Sequence, residues 1–132
     1  MYNAPMQAGT GPRIAKDLVA ASATPLVLAI LDEDESYGYA ILKRIGELSR
    51  GQLEWTDGML YPLLHRLDRL GYVEATWQFQ PAGRRRRYYR ITARGREALS
   101  EQRRQWEVVS AALDNAWHAF KVANSVLSTV EA

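Results

Sequence analysis

The chain has no cysteine, which excludes disulfides and thiolate metal sites. It has only two histidines, His65 and His118, and they do not fall at a metal-ligand spacing. There is no glycine-rich phosphate loop and no serine elbow. These gaps leave an enzyme poorly supported, and no cofactor is expected. No apolar run approaches the roughly 20 residues that a membrane span requires. Residues 1–12 have neither the cationic start nor the apolar stretch of a secretion signal. The expectation is therefore a cytoplasmic protein without a membrane partner.

What is present is an uneven charge. The formal net charge is only +2 over 132 residues. Residues 1–83 hold seven Lys/Arg and ten Asp/Glu, a net of −3, whereas residues 84–132 hold ten and five, a net of +5. The positive charge is concentrated between Arg84 and Arg104. A patch of one sign steers a polyanion better than the same charge spread evenly. Hydrophobic residues make up 47% of the chain, enough for a small core that a partner subunit would reinforce.

Residues 1–12, rich in Gly, Pro and small side chains, read as a flexible arm. Ile14, Leu18 and Val19 suggest a short helix. Pro25, with Thr24 as a cap, then suits the start of a buried helix through Leu26-Val-Leu-Ala-Ile-Leu31. Asp32-Glu-Asp-Glu35 is a solvated acidic turn. Ser36 can cap a second helix over 37–48, in which Ala40, Ile41, Ile45 and Leu48 recur at helical spacing. Thr56 or Asp57 can cap a third helix reaching Leu70, with Gly71 just past its end. Its inward stripe is Leu60, Leu63, Leu64, Leu67 and Leu70, and Pro62 should distort its first turn.

Residues 72–80 alternate as a strand, Pro81-Ala-Gly83 makes the turn, and 86–91 returns. Thr92 caps a long helix from Ala93 to about Phe120 or further. Three helices followed by a hairpin make a winged helix-turn-helix. The expected fold class is thus mainly α with a small β-hairpin, and the expected division is 1–12, a DNA-binding domain over 13–92 and a dimerisation helix over 93–132. In that last helix Leu99, Trp106, Leu113 and Phe120 repeat every seven residues, and Val109 and Ala116 fall three residues on. A sustained seven-residue repeat is a seam for another helix. No second helix of that length is expected, so the natural partner is the same helix of another copy, in a two-fold dimer.

These residues resemble the PadR family of bacterial transcriptional regulators. The resemblance rests on Tyr37-Gly38-Tyr39, on Leu60-Tyr61-Pro62-Leu63-Leu64 with Leu67 and Gly71, and on Arg86-Arg87-Tyr88-Tyr89-Arg90-Ile91-Thr92 with Gly95. It covers roughly residues 26–95, and the single long helix after the wing matches the short form of the family. It implies a DNA-binding regulator, usually a repressor. It also implies release of DNA by small phenolic, drug-like or other planar compounds, in some members at an interfacial pocket.

Oriented by its apolar stripe, the third helix presents Gly58, Tyr61, Pro62, His65 and Arg69 outward, toward a major groove in which arginine reads guanine. Small Gly58 permits close approach, and the Tyr61 hydroxyl can reach a phosphate. Tyr39 and Lys43 lie one turn apart on the second helix, where phosphate contacts position a protein without reading sequence; the alternative for Tyr39 is packing against the third helix. Tyr37 is expected in the core. Arg84 and Arg85 belong at the wing tip, and Arg86 and Arg87 on opposite faces, so at most one of the latter, with Arg86 taken as the candidate, faces DNA well. Tyr88 and Tyr89 divide the same way. Trp77 is expected under the wing, and Trp55 beside the turn before the third helix.

The expected dimer interface is Leu99, Trp106, Val109, Leu113, Trp117 and Phe120. Trp106 carries two readings. It is either dimer core or one half of an aromatic sandwich for a small planar effector. The competing class of function is a winged-helix module that binds proteins rather than DNA, and the arginine run argues against it.

Overall fold

The computed structural model describes the backbone of residues 13–131 and the side chains as far as residue 127. The arm expected over residues 1–12 lies outside the described residues. The elements in chain order are α1 (Lys16–Glu33), β1 (Ser36–Tyr37), α2 (Gly38–Leu48), α3 (Asp57–Arg69), β2 (Val73–Phe79), β3 (Arg85–Ile91) and α4 (Ala93–Glu131). The chain divides into two compact units after Leu99.

The expected break before Pro25 does not occur. α1 is one helix of 18 residues with Pro25 inside it. Proline there removes the bond to the carbonyl of Ala21, but Ala21 is exposed, so bulk solvent replaces the lost donor. Thr24 is no cap: its hydroxyl accepts a bond from the Arg66 guanidinium at 3.2 Å and ties α1 to α3. The buried face of α1 is Val27, Leu28, Ile30 and Leu31.

Ser36 also departs from expectation. Rather than capping α2, it forms with Tyr37 the short strand β1, pairing antiparallel with Tyr89 and Tyr88 of β3. The sheet therefore has three strands in the order β1-β3-β2. Tyr37 becomes the residue before α2 and makes no side-chain cap.

α2 ends at Ser49, after which Arg50 takes the left-handed conformation at φ 53°. Its follower Gly51 donates back to the carbonyl of Gly46 at 2.8 Å. α3 ends in the same manner with the more usual glycine. Gly71 has φ 79°, its N–H meets the Asp68 carbonyl at 3.0 Å, and Tyr72 N–H meets the Leu67 carbonyl at 2.9 Å. These bonds satisfy carbonyls that a helix end otherwise leaves unpaired. Leu70, expected on the inward stripe, is the cap residue and is exposed.

Thr92 joins the end of the wing to the start of α4. Its hydroxyl donates to the Gly71 carbonyl at 2.6 Å and accepts from Gly95 N–H at 3.0 Å. Gly95 is buried, and a side chain there would run into the Tyr72 carbonyl. The core is drawn from three helices and two strands: Val27, Leu28, Ile30 and Leu31, then Ile41 and Ile45, then Leu60, Leu63, Leu64 and Leu67, closed by Val73, Tyr89 and Ile91.

Candidate nucleic-acid interface

The buried stripe of α3 fixes what the helix shows outward. With Leu60, Leu63, Leu64 and Leu67 in the core, Gly58, Met59, Tyr61, Pro62, His65, Arg66 and Arg69 are exposed. All five positions expected outward on this helix (Gly58, Tyr61, Pro62, His65, Arg69) are on that face. Met59 was missed, although it follows from the same 3.6-residue period. Nothing in the protein requires glycine at 58, since the nearest atom to a Cβ there would be Thr56 Oγ1 at 3.7 Å.

Tyr61 is less free than the sequence suggests. Its hydroxyl lies against the backbone of Gly38, so closely that any side chain at 38 would collide with it. Gly38 is fully covered in consequence. Burial, with the Asp57 carboxylate and Tyr89 adding to it, pushes the Tyr61 phenol above its ordinary pKa. It therefore stays a protonated donor. Tyr39, next to Gly38 in the chain, is 70% exposed, so it does not pack against α3. Lys43 is exposed one turn further along α2.

Register places the wing side chains. The core-side face of the hairpin carries Val73, Ala75, Trp77 and Phe79 on β2, opposite Ile91, Tyr89, Arg87 and Arg85 on β3. The other face carries Arg86, Tyr88 and Arg90, with Tyr37 of β1 beside them. Arg86 and Arg87 do fall on opposite faces, and Tyr89 is the core tyrosine of its pair. Tyr37, however, is not in the core. It packs edge-on to Tyr88 with ring centroids 5.3 Å apart, and the Arg86 guanidinium lies over its ring at 4.0 Å. Trp77 is not beneath the wing either; it is 51% exposed and is overlain by Arg85 at 4.6 Å and Arg87 at 5.2 Å. Trp55, by contrast, packs at the edge of the core.

The arginines fall into two groups. Arg44, Arg90, Arg96, Arg103 and Arg104 each hold a carboxylate, from Glu33 and Glu47, Glu74, Asp32, Glu107 and Glu101 respectively. The Arg104 and Gln105 bonds hold the Glu101 carboxyl down at about 2. Among the described residues, no carboxylate lies within ion-pair distance of Arg84, Arg85, Arg86 or Arg87. The positive region read from Arg84 to Arg104 thus concentrates on the wing, because of the later cations only Arg94 lacks a carboxylate among the described residues.

In α4 the first seam residue, Leu99, is half-buried against the core of the winged unit. Beyond it Trp106 is half-buried, while Val109, Leu113, Trp117 and Phe120 are exposed, as is Leu127, which extends the seven-residue series. Among the described residues no cluster of His, Asp or Glu could hold a metal, and no helix is long and apolar enough to cross a membrane.

Comparison with known proteins agrees with this geometry. The family model described as the transcriptional regulator PadR-like family matches residues 27–101. Protein X of Lysinibacillus sphaericus is 28% identical over 101 residues, 76% of this chain and 93% of that protein. The transcriptional regulator Rv3488 of Mycobacterium tuberculosis is 48% identical over 61 residues, 46% of this chain and 56% of that protein. A transcriptional regulator from Clostridium thermocellum superposes with a TM-score of 0.69 at 27% identity, covering 76% of this chain and 97% of its own. A PadR-like regulator from Bacillus cereus gives 0.67 at 28% identity, covering 76% and 95%. A winged helix-turn-helix with three helices, a three-stranded sheet and one long helix after the wing, matched by the family model over more than half its length, belongs to the PadR-like family of transcriptional regulators.

Proposed function

We propose that the protein is a homodimeric repressor that binds double-stranded DNA, each winged unit taking one half of a near-palindromic operator. The observation that carries this reading is the wing: four consecutive arginines without a carboxylate, beside an exposed helix-turn-helix face. Cations left unpaired by the protein itself are available to phosphates, and each one that neutralises a phosphate releases counterions. α3 enters the major groove with His65 and Arg69 toward base edges, Gly58 allowing close approach. Tyr39, Lys43 and the Tyr61 hydroxyl meet phosphates. Arg84, Arg85 and Arg86 serve the wing.

The seam from half-buried Trp106 to exposed Phe120 supports pairing with a second copy, which sets half-sites about one helical turn apart. Trp106 and its symmetry mate would then flank the two-fold axis, where a small planar aromatic effector can be sandwiched. Such an effector releases DNA only if it binds the free and operator-bound forms unequally.

The test is binding of the full chain to the DNA upstream of its own gene at several salt concentrations, with a scrambled duplex as control. Sequence-dependent binding is expected, and replacing both Arg84 and Arg85 with Ala should lower the salt slope by about two. Equal, weak binding to both duplexes would overturn the reading. A reporter driven by the same DNA then decides repression.

A further inference from the structure

The core-side face of the hairpin changes character along its length. At its base Val73, Tyr89 and Ile91 are buried. Four residues beyond half-buried Ala75, roughly 13 Å at strand rise, the same face ends in Phe79, which is 77% exposed. Phe79 is the last paired residue of β2 and stands opposite Arg85. Its neighbour on that face, Trp77, is already engaged by the Arg85 and Arg87 guanidinium groups. Phe79 has no such partner: among the described residues no ring and no cation lies against it.

The tip beyond it is held closed. Gln80 N–H donates to the Arg84 carbonyl at 2.7 Å and Gly83 N–H to the Gln80 carbonyl at 2.8 Å, with Gly83 at φ 87°. An unpartnered aromatic ring thus stands beside a hydrogen-bonded turn, across the hairpin from Arg85. A single exposed apolar residue needs no explanation. This one shares its face with Trp77 and with Arg85 and Arg87, two arginines without a carboxylate that call for a polyanion, and that charge selects the occupant.

We propose that Phe79 is an apolar wedge that the wing presses between base steps in the minor groove of the bound duplex. Trp77 backs the wedge by holding Arg85 and Arg87 on the neighbouring strand. The inference rests on the DNA-binding reading above and adds a residue and a deformation to it. Minor-groove proteins combine these parts: a Phe or Leu that unstacks a step, flanked by cations that hold the backbone, with a kink of about 20–90°. Arginine is drawn to the same groove where it is narrow. Unstacking makes the wing sensitive to sequence at steps it does not hydrogen-bond, because flexible pyrimidine–purine steps open most easily.

The experiment uses the full chain and the DNA upstream of its own gene. Hydroxyl-radical footprinting locates the minor-groove steps that the protein protects, and 2-aminopurine is placed at each. The wild type and Phe79→Leu should raise 2-aminopurine fluorescence at one step per half-site. Phe79→Ala should lose that rise and bind about tenfold more weakly, with its salt slope unchanged. Arg85→Ala should keep the rise and lower the slope by about one. Phe79 is exposed, so circular dichroism should show all three variants folded. Wild-type binding without unstacking at any protected step, or Phe79→Ala behaving as wild type, overturns the wedge and leaves DNA binding standing. No preference over a scrambled duplex overturns the DNA-binding reading itself, and the wedge with it.

Discussion

Between Val27 and Ile91 thirteen hydrophobic side chains are buried, whereas from Ser100 to Leu127 not one residue is, although that stretch carries Trp106, Leu113, Trp117, Phe120 and Leu127. Both stretches are written in the same alphabet of Leu, Val and aromatic residues. What differs is the number of elements that share the apolar pattern. In the first, three helices and a sheet supply faces to one another. In the second, one helix carries a seven-residue repeat and the described residues supply no second helix to meet it. The first can be a domain by itself. In the dimer proposed above, the second is half of an interface, and its stability belongs to the assembly.

The strongest way to break that contrast is to charge the seam. Leu113→Glu combined with Phe120→Glu should raise the dimer dissociation constant at least about 1000-fold, or about 4 kcal/mol, measured by sedimentation equilibrium. The winged unit should keep its near-ultraviolet spectrum. A wild-type chain that sediments as a monomer at micromolar concentration would show that the repeat is not a seam.

The core offers the opposite control. Leu64 is fully buried in α3, and Leu64→Ala should lower the urea-unfolding free energy by about 3 kcal/mol. That loss should not depend on protein concentration, whereas the loss from Leu113→Ala should. If both scale with concentration, the winged unit does not fold apart from its partner, and the contrast dissolves.

Much of this was legible in advance because it is local. The leucines of α3 announce a helix through their spacing, Gly71 its end, Pro81-Ala-Gly83 a turn and Thr92 a new start. The misreadings needed partners distant in sequence. Ser36 and Tyr37 form a strand only because Tyr88 and Tyr89 lie beside them, and two residues carry no period. Pro25 suits a first turn or a tolerated interior position equally well; what decides is whether the preceding turn continues. Tyr37, expected in the core, is turned by the strand pairing to the far face under Arg86. The candidate site was read more completely than its energetics. Alternation separated Arg86 from Arg87, but the carboxylates that silence Arg96 and Arg90 come from Asp32 and Glu74 and are visible only in the fold. Phe79 could have been found, since the hairpin register alone puts it beside Trp77 at the exposed end.

The smallest expected effect distinguishes the helical rules that α2 and α3 share from the demands of DNA. Gly46 in α2 and Gly58 in α3 both have room for a methyl group: nothing lies within 4 Å of a Cβ at 46, and the nearest atom at 58 is 3.7 Å away. Neither has a positive φ. Alanine should therefore stabilise the fold by about 0.5–1 kcal/mol at 46, and by less at 58 in the first turn. Their effects on DNA should part. Gly46→Ala should leave affinity unchanged. Gly58→Ala should weaken it by several-fold, because the methyl group occupies space through which α3 approaches the groove. Urea unfolding and anisotropy titration on the same preparations check both. A Gly58→Ala variant that gains stability and binds as tightly as wild type would mean that the glycine answers to neither fold nor groove, and that α3 sits in the DNA on its Tyr61 and His65 side instead.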